Sequence, residues 1–239
     1  MPVIVLMCCT FVFNTSEFIP IGLLSDIAAD FGITEARAGL LITVYAWVVA
    51  LVSLPLMLAV ARMECSRLML GELGLFIASH VLSGLSSSYA MLMASRSGVA
   101  CAHAVFWSIV SPLAVRVAPK GAQAAALGLI ITGTSIAMIV GLPLGRVIGL
   151  FVGWRTTFFF IAAVAAAVWL FLAAIFPRVP SRDTISLRKV PSLLGNPALV
   201  GVYVLTVLMV TGHYTGYSYI EPFLAQVAGL DIDWISWVL

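Results

Sequence analysis

Apolar residues recur along this chain in runs of about 20, the number a helix needs to cross ~30 Å of hydrocarbon at 1.5 Å per residue. Seven runs are read: Val3–Leu24, Ala38–Ala61, Leu68–Ser86, Ala90–Val115, Ala124–Gly149, Arg155–Phe176 and Ala198–Ile220. A bilayer core offers no water to backbone N–H and C=O groups, so each run must satisfy them internally, as a helix. Composition agrees. Hydrophobic residues make up 62% of the 239 and charged residues 9%, whereas soluble domains carry about 25% charged residues. Mean hydropathy is +1.15. The fold class expected is an all-α membrane bundle whose partner is the lipid bilayer. A net charge of +2 gives no ground for a nucleic-acid partner.

The connections set the organisation. Most are short and polar, but Pro177–Pro197 holds Pro177, Pro180, Pro191 and Pro197 and reads as a linker between two helical groups. Residues 1–176 then form a six-helix unit, 177–197 the linker, and 198–239 a seventh helix and the onset of an eighth at Trp234–Leu239. Arg62, Arg67, Arg116, Lys120, Arg178, Arg182, Arg188 and Lys189 fall in the even-numbered connections. The odd-numbered ones hold Arg37 and Arg155 beside Asp26, Asp30, Glu35, Glu221, Asp231 and Asp233. Cytoplasmic loops carry the Lys/Arg excess, so the N-terminus is expected in the cytoplasm. That orientation argues against a rhodopsin-like receptor or pump, as does Lys120 and Lys189 being in connections. A signal peptide is rejected because the first run lacks a basic start and contains Glu17. Cys8, Cys9, Cys65 and Cys101 show no metal spacing and read as small buried hydrophobes.

Polar groups inside a span are costly and so tend to mark a pathway or a pair. The first run carries Asn14, Thr15, Ser16 and Glu17; the fourth carries Ser95, Arg96, Ser97, His103 and Ser108. The seventh carries Thr206, Thr211, His213, Tyr214, Thr215, Tyr217, Ser218 and Tyr219, whereas Phe158–Phe176 in the sixth is wholly apolar. Runs one, four and seven therefore read as the lining of a polar cavity, with Glu72 and His80 making the third intermediate. Glu17 and Arg96 lie at matched depth, roughly 10 Å and 9 Å from the outer end. The expectation is an ion pair in which Glu17 takes up and releases a proton while Arg96 tunes it, or else a static pair locking two helices. His103 and Trp107 continue the Arg96 face; Tyr217 follows His213 by one turn and Glu221 follows Tyr217. Such aromatic and polar groups can stack on a sugar ring or drug and bond its hydroxyls. Gly141, Gly145, Gly149 and Gly153 repeat every four residues around Pro143, a face that lets helix backbones approach closely. Arg146 in that stretch is not explained by packing, and an acidic group in the outer half, Glu17 included, is its expected partner.

Several of these segments resemble the major facilitator superfamily. Gly133–Gly153, with Gly141-Leu142-Pro143-Leu144-Gly145 at its centre, is similar to the glycine–proline antiporter signature of the fifth helix in exporters. Arg96 with Gly98 resembles the Arg-x-x-x-Gly signature of the fourth at shorter spacing, and Gly153–Phe158 the start of the sixth. In the loop after the second helix Arg62 and Arg67 remain, but the usual Gly and Asp are absent. More narrowly, Phe13–Leu24, Tyr45–Ala50, Ala102–Ser108 and His213–Pro222 resemble the sugar efflux transporter (SotB) type. The resemblance implies twelve helices in two halves, cytoplasmic termini, and a cavity lined by helices one, four, seven and ten. The chain would then hold one complete half and the first helix of the other, with the missing second half as a partner.

The function implied is export of sugars or sugar analogues across a bacterial inner membrane by alternating access. It would be driven by the proton gradient, with no cofactor or metal. Proton coupling is assigned to Glu17 and Arg96, and the substrate cavity to Asn14, Tyr45, His103, Trp107, His213, Tyr214 and Tyr217. A multidrug efflux antiporter and an inactive fragment are the competing readings. An intramembrane hydrolase would draw on Gly133-Thr134-Ser135 and the His residues, but no Gly-x-Ser-x-Gly elbow supports an enzyme.

Overall fold

A computed structural model describes residues 1–180, 195–217, 219–231 and 234–235. Among them every regular element is helical: α1 Pro2–Gly22, α2 Leu24–Phe31, α3 Glu35–Val60, α4 Cys65–Gly84, α5 Tyr89–Val117, α6 Gln123–Ile136, α7 Leu142–Val152, α8 Trp154–Ile175, α9 Pro197–Tyr217 and α10 Ile220–Gln226. Seven helical stretches are long and apolar enough to cross a membrane. Arg182, Arg188, Lys189, Pro191, Ser218 and Asp233 lie outside the described residues, as do most of the expected linker and the end of the Trp234–Leu239 run.

Local chemistry sets the element ends. Thr34 and Ser88 cap α3 and α5 by accepting from the backbone N–H groups of Arg37 and Met91, both at 3.2 Å, satisfying donors a first turn leaves open. Gly32 ends α2 at φ +62°, and Gly153 separates α7 from α8 at φ +86°, backbone that side chains with a Cβ rarely adopt. Two elements differ from the sequence expectation. The first apolar run breaks at Leu23 into α1 and the short α2, and the fifth is interrupted by a π turn at Ala137–Gly141. Pro143 explains the second break. Proline has no N–H to donate and crowds the carbonyl four residues back, and a π turn just before it relieves both.

The bundle wraps around α1, 67% of whose span is buried. The glycine face packs against it. Gly133, Gly141, Gly145 and Gly149 oppose Met7, Thr15, Ile19 and Leu23, and a Cβ on Gly133 or Gly141 would come within 2.6 Å of Met7 O or Thr15 Oγ1. Gly153 stands apart as the α7–α8 turn. On the other side of α1, Phe13 stacks on Phe106 of α5 at 4.1 Å and tilts against Phe76 of α4 at 4.3 Å. The first residues after α8 are strapped down: Ser66 Oγ donates to Pro177 O (2.7 Å) and accepts from Val179 N (2.9 Å), and Arg116 donates to Pro180 O. By contrast, no residue of α9 is buried. Its attachment comes from its C-terminal turns and from α10.

Candidate functional site

α1, α3 and α5 bring four of the expected residues together, Glu17, Tyr45, His103 and Trp107. The Glu17 carboxylate lies 3.4 Å from His103 Nε2, with Glu17 about one-quarter exposed and His103 buried. Trp107 Nε1, one turn along α5, donates to the same nitrogen. Tyr45 from α3 meets the His103 ring edge-on at 5.5 Å, and Phe13 does so at 5.6 Å.

Arg96 is placed otherwise than the sequence led one to expect. Its side chain is 98% buried, and among the described residues no carboxylate lies within 4.0 Å of it. Its guanidinium rests over the Tyr45 ring at 4.7 Å and donates from Nη1 to Ser16 O at 3.2 Å. Matched depth was therefore a poor guide to pairing. Arg96 spends its donor on the carbonyl of Ser16, the neighbour of Glu17, and His103 occupies the position facing the carboxylate. His80 is fully bonded, accepting or donating at Ser16 Oγ (2.7 Å) and Phe76 O (2.9 Å). A carbonyl can only accept, so Nδ1 carries the proton and Nε2 accepts from Ser16.

The Glu17–His103–Trp107 geometry has a chemical consequence. Nε2 cannot accept from Trp107 and donate to Glu17 at once. With Trp107 donating, the Nε2 lone pair is taken and Glu17 has no hydrogen bond to that nitrogen in either protonation state. With Glu17 ionised, the proton must sit on Nε2 and the Trp107 bond is lost. A proton on Nε2 therefore decides which neighbour His103 holds: Glu17 with it, Trp107 without it. Around this centre, Asn14 Nδ2, Tyr45 Oη, His103 Nδ1 and Arg96 Nε are buried without protein partners, a state that carries a cost unless water or a ligand meets them.

Helix α9 closes on the site at its end. Phe18, next to Glu17, stacks with Tyr214 at 6.2 Å and meets Tyr217 edge-on at 5.8 Å. His213 stacks on Tyr217 at 5.5 Å and is otherwise exposed. Beyond them lies an ion pair in which Arg146 Nη1 meets Glu221 Oε1 at 2.9 Å, both nearly buried, while also donating to Gly22 O at 2.9 Å. Arg146 thus has its acidic partner, and it is Glu221 rather than Glu17. Ser25 donates to Glu221 (3.0 Å) or Glu35 (2.8 Å), and Gln226 to Glu35 (2.7 Å). Tyr219 lies over Gly39. Sequence reasoning missed Ser25, Glu35 and Gln226; the unexplained Arg146 was the available signal that a buried acid must stand nearby.

The sequence profile of the Major Facilitator Superfamily matches residues 6–239. The chain belongs to the major facilitator superfamily. It therefore stands among transporters, not enzymes, as a multi-pass membrane protein. Its fold is similar to a bacterial homolog of the human lysosomal transporter Spinster, solved inward-facing and unoccupied, with a TM-score of 0.79 and 17% identity over 98% of this chain and 57% of that one. It is also similar to a peptide transporter POT in complex with sulfate (TM-score 0.68, 14% identity, 97% of this chain and 48% of that one). A POT family transporter in complex with 5-aminolevulinic acid matches with a TM-score of 0.63 and 16% identity, over 98% of this chain and 48% of that one. This chain spans about half the length of these transporters.

Proposed function

We propose that this chain supplies the N-terminal half and seventh helix of a proton-driven exporter of sugars or sugar analogues. The bilayer is a bacterial inner membrane, and the basic end, with Arg62, Arg67 and Arg116, faces the cytoplasm. The observation that carries the reading is the Glu17–His103–Trp107 arrangement. When the Nε2 proton passes to Glu17, His103 is left free to accept from Trp107; return of that proton to Nε2 breaks the Trp107 bond and restores the contact with the ionised Glu17. Because Tyr45 and Phe13 pack on the same imidazole, the change reaches α1, α3 and α5 together. Asn14, Tyr45 and His103 offer unpartnered polar atoms to hydroxyls, and Trp107, Tyr214 and Tyr217 offer ring faces. Arg96 supports the site by holding Tyr45 and the Ser16 carbonyl in place. The Arg146–Glu221 pair fastens α10 across the acidic end, and alternating access requires that contact to open.

The test is sugar accumulation in cells making the chain joined to a complete second half, with and without Glu17→Gln. Lower accumulation that depends on the proton gradient, and loses that dependence in Glu17→Gln, is the expected result. Unchanged proton coupling in Glu17→Gln removes Glu17 from the mechanism. Lower drug levels with unchanged sugar levels favour a multidrug exporter, for which the glycine–proline stretch and the ring-lined site serve equally.

A further inference from the structure

One buried acid has no part in that scheme. Glu72 sits two turns into α4 at 6% exposure, and neither carboxylate oxygen has a hydrogen-bond partner. We propose that Glu72 is a second proton-binding site of this bundle, carrying its proton as a neutral carboxylic acid between α1 and α4.

The surroundings decide this. Phe76 meets Phe13 and His80 bonds Ser16, and continuing that side-chain register toward the helix starts puts Glu72 level with Cys9. Cys9, a buried free thiol, is the titratable side chain of α1 at that level. Ser83 bonds Ser95 at 2.8 Å, and Ser79 opposes Gly98. That antiparallel register places Val105 and Phe106 of α5 opposite Glu72. On α8, Trp169 donates to Leu70 O at 2.9 Å, bringing apolar residues to the same level; Arg155, the charged residue of α8, is at the far end beside Asp30. On α4 itself, His80 is two turns further along and bonded to Ser16, while Arg67 is paired with Glu64 at the helix start. Arg96 is committed to Tyr45 and Ser16. Among the described residues no cationic nitrogen lies within 4.0 Å of Glu72. An ionised carboxylate so buried, without a protein hydrogen bond or a counter-ion, is in a condition that buried groups escape by neutralising.

Glu72 and Glu17 are therefore distinct. Glu17 is partly open and faces a histidine, so its proton has a neighbour to move to. Glu72 is closed in, and its proton can leave only when α1 and α4 part or water enters between them.

Infrared spectroscopy of the full 239-residue chain in lipid tests this. At neutral pH the wild type should show the carbonyl stretch of a neutral carboxylic acid free of hydrogen bonds, apart from the carboxylate bands and sensitive to deuteration. Glu72→Gln should remove that band, and Glu17→Gln should leave it. Superimposable spectra for the wild type and Glu72→Gln overturn the proposal. If Glu72→Gln does not fold, a pH titration of the wild type decides: the band must be present at neutral pH and give way to carboxylate as pH rises. Its absence at neutral pH overturns the proposal.

Discussion

Replacing Arg146 with Met would leave Glu221 buried opposite a thioether. Both side chains of the pair are nearly buried, at 4% and 5% exposure, so solvent screens the interaction little. Removing one partner of such a pair costs about 3–5 kcal/mol, most of it the penalty on the charge left behind. Two features soften the loss. Ser25 can still donate to Glu221 Oε2, and α10 is a seven-residue helix that can swing out until Glu221 meets water. The cost therefore appears as local undocking of α10 rather than unfolding of the bundle. Taking the lower bound, about 3 kcal/mol at 1.4 kcal/mol per tenfold corresponds to roughly a hundredfold rise in the undocked population. A helix that short does not persist in water, so its amides exchange once undocked. Hydrogen exchange read by mass spectrometry on the chain in lipid should show Ile220–Gln226 exchanging roughly a hundredfold faster in Arg146→Met, with α4 and α5 unchanged, by the same conversion. The charge swap Arg146→Glu with Glu221→Arg should recover part of the protection. Wild-type exchange across α10 in Arg146→Met would refute the reasoning.

Three further outcomes follow from the geometry. Gly133→Ala brings a Cβ within 2.6 Å of the Met7 backbone oxygen; backbone cannot step aside as a side-chain tip can, so thermal stability should fall by about 1–3 kcal/mol. Gly74→Ala, with nothing within 4 Å, is the control and should show no such loss. Ser66→Ala removes both bonds that strap Pro177 and Val179 to α4, and limited proteolysis should cut after α8 faster than in the wild type, with the bundle intact. Burial pushes the Asp26 carboxyl above its ordinary 3.8, with Arg146 pulling the other way. The folded form then holds the Asp26 proton more tightly than the unfolded chain, and this contribution is lost as pH rises above 3.8 through the folded value. Asp26→Asn should therefore melt higher than the wild type at neutral pH, with the gap closing below 3.8.

Much of the architecture was legible because hydrocarbon imposes a length and a polarity on every span. The apolar runs located the helices to within a few residues, and the polar residues of the first, fourth and seventh runs pointed to α1, α5 and α9. The four-residue glycine spacing likewise announced a close approach, and the structure supplies α1 as the partner. Pairing was harder to read. Depth along a helix is a one-dimensional quantity, and it put Glu17 with Arg96. Contact depends also on the rotation of each helix and on which neighbour lies across the interface, and these gave Glu17 to His103 and left Arg96 on Tyr45. The π turn was implicit in Pro143, but nothing local said that the strain would be absorbed by Ala137–Gly141.

The sequence by itself determined a helical membrane bundle of seven spans and the residue types available at its centre, because burying a backbone in lipid leaves no other choice. Tertiary structure alone decided which charges meet. Arg146 finds Glu221 75 residues further along the chain because α7 and α10 pack at the same end of α1, and Glu72 has no hydrogen-bond or ionic partner among the described residues although it is buried. Hydrophobicity is a property of each residue, whereas an ion pair is a property of a place.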